Sequence, residues 1–286
     1  MKKYLIILFL ILACAAQSQV VNTSVYFAPA SAEAPSAGGY SAEYQAVYDA
    51  MTTKPSEAHA TAQNTFVESA ISHGYWDSLQ VFHFYAQDER TAGESLINWA
   101  IPGTYNGTEI SGISWTTLEG YTGDGSADAV RFNYNPSTNG GLFEKDHASY
   151  GVYVRNNVDE NKKLMMAGAN NQLSPRVSDQ IYWRINYGTT SYIANTNSQG
   201  FYIAVRDNST TINYYKNGTD IGGGTAASTA LENYGFYVGG HPDWYSFSTY
   251  QFSAAFVGGA LSPTMVSNFT TDLETLMDAL GTGIIP

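Results

Sequence analysis

The chain has 286 residues, of which 44% are hydrophobic, 14% aromatic and only 13% charged, with 25 acidic side chains against 13 basic ones. A net charge of -12 excludes a phosphate-backbone partner, which needs clustered Lys and Arg, so nucleic acid is set aside as a ligand. The length is ample for one main domain with a sizeable core, and 27 glycines with 22 tyrosines fit many short strands joined by tight turns.

At the N-terminus, Lys2 and Lys3 precede an apolar run from Tyr4 to Ala13, shorter than the ~20 apolar residues a membrane-spanning helix needs. With the small residues that follow, residues 1–18 read as a secretory signal peptide. Ala16-Gln17-Ser18 offers a cleavage site ahead of Gln19 and is preferred; Ile11-Leu12-Ala13-Cys14 is the competing lipobox, with a bulky Leu12, and would leave Cys14 diacylated. The protein is therefore expected outside the cytoplasm, secreted, periplasmic or on the cell surface, without a membrane span. Cys14 is the single cysteine, so neither cleavage permits an intramolecular disulfide. Residues 19–40, rich in Ala, Ser and Pro without a sustained period, read as a linker.

A helical lead-in is expected over residues 41–75. Tyr44, Val47, Tyr48 and Met51 share one helical stripe, and after Pro55 the residues Ala62, Phe66, Val67, Ala70 and Ile71 share another that ends near Gly74. From Trp76 the period changes to two: Val81, Phe82 and Phe84; Val130, Phe132 and Tyr134; Tyr150, Val152 and Val154; Ile181, Trp183 and Ile185; Phe201, Ile203 and Val205; Phe252, Ala254 and Phe256. Punctuated by Gly, Asn, Asp and Pro, these predict at least eight short strands. In "YKNGTDIGGGTA", Asn217-Gly218 supplies the two positive-φ residues of a type I′ hairpin turn, and Gly222 to Gly224 read as a flexible loop leaving the sheet. Trp99, Trp115 and Trp183 fall in strand-like alternation and are expected in the core. Ser262 as N-cap, Pro263 at the first helical position, an apolar stripe from Met265 to Leu280 and Gly281 beyond it predict a C-terminal helix.

Several stretches resemble a known superfamily. "LINWAIPGTYNGTEISGISWTTLEGYTGDGSADAVRFNYNPS" from Leu96 to Ser137, then "DHASYGVYVRNN", are similar to a LamG-like jelly roll of the concanavalin A-like lectin/glucanase superfamily, as found in phage tail and virion proteins and secreted bacterial proteins. "FVESAISHGYWDSLQVFHFYA" resembles its helical lead-in; "GFYIAVRDNSTTINYYKNGTDIG" and "YQFSAAFVGGALSPTMVSNFTTDLETLMDALG" resemble its ending. The resemblance spans residues 43–281 and implies an all-β fold: a concanavalin A-like jelly-roll β-sandwich over residues 76–286 with short N-terminal helices and a C-terminal helix.

The same resemblance raises glycan chemistry, which the residues answer. A retaining laminarinase-like member sets two carboxylates about 5 Å apart on an E-x-D-x-x-E strand. Here Glu144-Lys145-Asp146 is the nearest match, and Ala148 and Ser149 stand where the second glutamate belongs. A lyase of similar fold pairs His with Tyr beside an Arg-rich strand, and His147 and Tyr150 have no such strand. No catalytic residues are expected. Phosphate-loop, dinucleotide, metalloprotease and serine-hydrolase motifs are missing from the sequence, so no organic cofactor is expected. The candidate ion is Ca2+ at "GDGSAD", where Asp124, Ser126 and Asp128 alternate; the alternative is a solvated turn.

Carbohydrate binding needs an exposed ring beside polar groups. "GGHPDWYSFSTY" provides His241, Asp243, Trp244 and Tyr245 in a Gly- and Pro-bounded loop, with Arg155, Asn156, Arg206 and Asp207 at strand ends as a polar rim. The other reading of these aromatics is a lid over one end of the sandwich. The functional expectation is a secreted, non-catalytic, lectin-like module whose partner is a glycan or cell-surface polysaccharide. The alternatives are a structural or adhesive, virion-type building block and a degenerate glycoside hydrolase or lyase.

Overall fold

The segment ASYGVYV, residues 148–154, forms a strand buried at every position, so side chains on both of its faces must be met by another layer. The structure, a computed structural model that describes residues 39–286, supplies both layers. The proposed signal peptide, its cleavage sites and all but the last two residues of the proposed linker lie outside the described residues.

The larger sheet, A, runs β13 (Thr219–Thr225), β12 (Thr211–Lys216), β11 (Gly200–Arg206), β6 (Ala148–Val154), β17 (Gln251–Gly258), β4 (Gly120–Thr122) and β3 (Ser114–Thr116), and β1 (Leu79–Phe84) pairs with the far half of β17. Sheet B runs β10 (Ser191–Ala194), β9 (Gln180–Arg184), β8 (Gln172–Val177), β7 (Met165–Met166), β14 (Tyr237–Val238), β5 (Ala129–Arg131) and β2 (Thr108–Ile110). A separate ribbon joins β15 (Gly240–His241) to β16 (Ser246–Phe247). All these pairings are antiparallel. The fold is an antiparallel β-sandwich.

Helices α1 (Ala42–Ala50) and α2 (Glu57–Ser72) precede the strands and α4 (Pro263–Ala279) follows them; between lies only the single-turn α3 (Pro136–Asn139) and short 3-10 turns. The caps follow the sequence chemistry. Ser41, Ser56 and Ser262 each accept a main-chain N–H of the first turn through the side chain, from Tyr44, His59 and Met265. No helix among the described residues is long and apolar enough to cross a membrane.

The strands divide the core in two. Tyr150, Val152, Val154, Tyr202, Trp183 and Val257 fill the space between the sheets, whereas Tyr153, Phe201, Ile203, Phe82 and Phe256 point the other way, onto Phe66, Val67, Phe269 and Leu273 of α2 and α4. Phe269 anchors this second core, its ring 5.0 Å from Phe256 and 5.1 Å from Phe201. Trp99 and Trp183 are fully buried, and Trp115 is half-buried with its indole N–H donating to Tyr85 O at 2.8 Å.

Two local expectations need correction. Phe252, Ala254 and Phe256 do not share one face: a bulge between Phe252 and Ala254 puts Phe252 between the sheets and the other two under the helices. Gly222 to Gly224 are not a loop but the middle of β13, opposite Tyr214, Asn213 and Ile212. A Cβ on Gly223 would meet Ile212 O at 2.1 Å, so close backbone approach explains that glycine. The adjoining Asn217-Gly218 turn has φ of 51° and 74°, as its hairpin geometry requires.

Candidate functional site

The outer face of sheet B carries a row fixed by strand register. Arg131 on β5 stands opposite Tyr237 on β14, which stands opposite Met166 on β7. Their neighbours Val130, Val238 and Met165 point into the core, so the alternation of a strand puts this row on the sheet's other face, where Arg131 is exposed, Tyr237 half-buried and Met166 buried. Beyond β5 the alternation continues: Phe132 and Tyr134 are buried, and Asn133 and Asn135 turn outward. Asn135 then caps α3, its Oδ1 accepting from Ser137 N–H at 3.1 Å. Arg131, Asn133, Tyr134, Asn135 and Asn139 thereby enclose, with Gly235 and Tyr237, a cleft of about 210 Å³.

The polar groups of the cleft are held in place. Arg131 Nε donates to Asn133 Oδ1 at 2.6 Å, while Asn133 Nδ2 donates to Asn106 O at 2.6 Å and Thr108 Oγ1 at 2.8 Å. Asn135 Nδ2 donates to Asn233 Oδ1, and Asn139 Oδ1 accepts from Asn135 N–H, both at 2.8 Å. Left over are the two terminal nitrogens of Arg131, the side-chain nitrogen of Asn139 and the Tyr237 hydroxyl, which bond to nothing among the described residues.

The aromatic hairpin stands beside this cleft. It is not extended: Pro242–Trp244 form a 3-10 turn between β15 and β16, and Tyr245 sits in the left-handed region at φ 48°. Tyr245 is 85% exposed, Trp244 is 41% exposed and Asp243 is also exposed. His241 is 1% exposed, which corrects its placement among sugar-contacting groups. Its ring packs 4.4 Å from Tyr237, its Nδ1 accepts from Asp243 N–H at 3.3 Å, and burial pushes its pKa below the ordinary histidine value. Tyr234 lies 5.9 Å from His241 and 6.0 Å from Trp244, centroid to centroid, linking hairpin tip to cleft wall. Phe247 on the return strand is buried.

The proposed rim does not assemble. Arg155 donates through Nη1 to Thr282 O at 2.7 Å and Ser253 Oγ at 3.3 Å, fastening the segment beyond α4. Asn156 donates to Thr249 O at 3.0 Å and accepts from Gln251 N–H at 2.8 Å, holding the entry to β17. Arg206 is 0% exposed, with Nε and Nη2 on Ile185 O at 3.1 Å and Nη1 on Ala226 O at 2.8 Å. It is a core brace, while its neighbour Asp207 is exposed. Each of the three is committed to protein acceptors or donors.

At the candidate calcium site, Asp124 sits in a hydrogen-bonded turn. Asp124 Oδ1 accepts N–H bonds from Ser126, Ala127 and Asp128 at 2.8, 2.9 and 3.0 Å, and Oδ2 accepts the Ser126 hydroxyl. These bonds hold its carboxyl well below the usual carboxylate range. The Asp128 side chain is buried instead, which raises its pKa. Among the described residues no group of three or more ligating side chains gathers for a metal. Glu144 and Lys145 lie in a loop ahead of β6, their carbonyls accepting from Asn186 Nδ2 at 3.0 Å, and Asp146 accepts the Ser228 hydroxyl.

Sequence reasoning missed Arg131, Asn133, Asn135, Asn139 and Tyr237. The signal was present in "RFNYNPSTN", where polar residues at alternate positions flank two buried aromatics.

No protein-family model matches the chain, and no curated relative does. Among solved structures the fold is similar to one of botulinum neurotoxin type C, whose cell entry depends on interaction with two ganglioside molecules: identity is 12%, coverage 71% of this chain and 53% of that one, and the TM-score 0.52. It is also similar to the receptor binding domain of botulinum neurotoxin D, at 11% identity, 69% and 53% coverage and a TM-score of 0.51. The match thus spans about half the length of each neighbour. At such identity the likeness shows an antiparallel β-sandwich and carries no chemistry across.

Proposed function

We propose that this protein is an exported, non-catalytic carbohydrate-binding module of the concanavalin A-like kind, and that its site is the cleft on the outer face of sheet B. One observation carries the reading: an aromatic wall, Tyr237 backed by His241, faces fixed polar groups at Arg131, Asn133, Asn135 and Asn139 across about 210 Å³. A sugar ring has an apolar C–H face that stacks on an aromatic ring and a hydroxyl edge that pairs with amides and guanidinium, and the two walls offer one surface to each. Trp244 and Tyr245, exposed at the adjoining hairpin tip, extend the aromatic surface for further sugar units.

Supporting a binding rather than a catalytic role, the lining contains no carboxylate to serve as nucleophile or acid. A glycan-dependent neighbour, the neurotoxin whose cell entry requires gangliosides, is in keeping with the reading. The test is a glycan array probed with the chain, followed by calorimetric titration of the selected sugar into the parent and Tyr237→Ala. Binding that is unchanged in a folded Tyr237→Ala variant refutes the site; absence of any glycan ligand refutes the function.

A further inference from the structure

Resting on that reading, we propose that the saccharide taken by this cleft bears a carboxylate and that Arg131 receives it. The protein has six arginines. Arg90, Arg155, Arg176, Arg184 and Arg206 each commit at least one terminal nitrogen to a protein acceptor. Among the described residues, Arg131 commits only Nε, to Asn133 Oδ1, and its two terminal nitrogens bond to none of them while it lines the cleft.

Its fork is also oriented. Asn133, which fixes Nε, is itself held by Asn106 O and Thr108 Oγ1, so the guanidinium is braced from below with its open edge outward. Such a planar pair of donors matches the two oxygens of a carboxylate.

The balance of donors and acceptors points the same way. A neutral sugar hydroxyl donates as well as accepts, so a site for neutral sugars provides acceptors, commonly Asp or Glu. This lining has no Asp or Glu, and the amide oxygens of Asn133, Asn135 and Asn139 each already accept one protein N–H. The free groups are mainly donors: the Arg131 nitrogens and Asn139 Nδ2, with the Tyr237 hydroxyl able to act either way. An acceptor-only carboxylate is the complement of that set. Register then fixes its place on the sugar, because Arg131 is the cross-strand partner of Tyr237: a ring stacked on the tyrosine carries its acidic substituent toward the guanidinium. The overall charge of -12 opposes such a ligand at long range, but at physiological salt that field is screened beyond about 8 Å and the local cation governs.

The experiment titrates the full chain with a panel of acidic oligosaccharides, oligogalacturonides and hyaluronan tetrasaccharide among them, each beside its methyl ester, at two salt concentrations. The carboxylated form is expected to bind about tenfold more tightly than its ester, with the gap narrowing at high salt. Arg131→Gln, checked for unchanged thermal unfolding, is expected to bring the acid down to the affinity of the ester, and Arg131→Lys to keep part of the preference. Equal binding of acid and ester overturns the proposal while leaving the carbohydrate site standing, as does a preference that survives in Arg131→Gln. Binding of no saccharide in the panel or on the array overturns both.

Discussion

The His241 imidazole lies 4.4 Å from the Tyr237 ring, so the hairpin tip and the cleft wall are packed as one unit. Tyr237 is half-buried and its hydroxyl bonds to no described residue, which makes it the ring whose loss reads binding most cleanly. Tyr237→Ala is expected to weaken glycan binding by about 1 to 3 kcal/mol, a roughly five- to hundredfold loss, by analogy with other stacked planar ligands. Calorimetry, beside a thermal unfolding trace close to the parent's, checks it.

Trp244 and Tyr245 separate packing from strain. The Trp244 ring rests against Tyr234, so Trp244→Ala is expected to lower affinity for oligosaccharides more than for single sugars. Tyr245 combines 85% exposure with a left-handed φ of 48°. Replacing it by glycine relieves the backbone while adding freedom to the unfolded chain, and the two should cancel to within about 0.5 kcal/mol. Urea unfolding of Tyr245→Gly measures the balance; a loss above that range would mean the ring packs against something essential.

Gly235 offers a way to fill the cleft without touching its polar groups. A Cβ there meets only Tyr134 O, at 3.4 Å, an ordinary contact, and the residue lines the cleft. Gly235→Leu is expected to abolish glycan binding with a stability change under about 1 kcal/mol. Retained binding would place the ligand elsewhere.

Acid sensitivity is expected from His83. Packed between the sheets against Phe132, its Nε2 donates to Tyr105 O at 3.1 Å and its Nδ1 accepts from the Tyr85 hydroxyl at 3.3 Å, and burial lowers its pKa from 6.5 to about 4. Because the folded value is depressed, the unfolded chain binds the extra proton first as pH falls. The contribution is intact above pH 6.5 and is lost as pH drops toward 4, to an extent of about 3 kcal/mol. Urea titrations at pH 7 and pH 4.5 should show that loss in the parent and a shallower one in His83→Gln. Identical slopes for the two would assign the acid lability to carboxylates.

How far the sequence foretold all this depended on the range of the interaction. Helix ends at Ser41, Ser56 and Ser262 and the Asn217-Gly218 turn are set by neighbours in the chain, and they are where local chemistry puts them. The second face of β6 was hidden, since the burial of Tyr153 under helices far along the chain is not announced by its neighbours Ser149 and Gly151. Gly222 to Gly224 look like a loop by propensity and become a strand by pairing with β12. The cleft is the extreme case, because Arg131 and Tyr237 meet only through the pairing of β5 with β14. Arg206 misled for a related reason: an arginine at a strand end is usually solvated, and nothing nearby in sequence announces the Ile185 and Ala226 carbonyls that hold it.

Among the described residues the helical cover lies on one flank, over sheet A. Helices α1, α2 and α4 occupy that flank, and the last residues are moored there, Ile284 N–H donating to the Tyr153 hydroxyl oxygen at 3.1 Å and Ile285 N–H to Glu274 at 2.8 Å. The cleft opens from the opposite flank, on the outside of sheet B. Coupling to a bead, a sensor chip or another domain through Pro286 therefore points the cleft away from the support. Arrays of the protein made that way should capture ligands as fully as the free protein does, while attachment through lysines near sheet B, such as Lys163 beside Tyr182, should blunt capture.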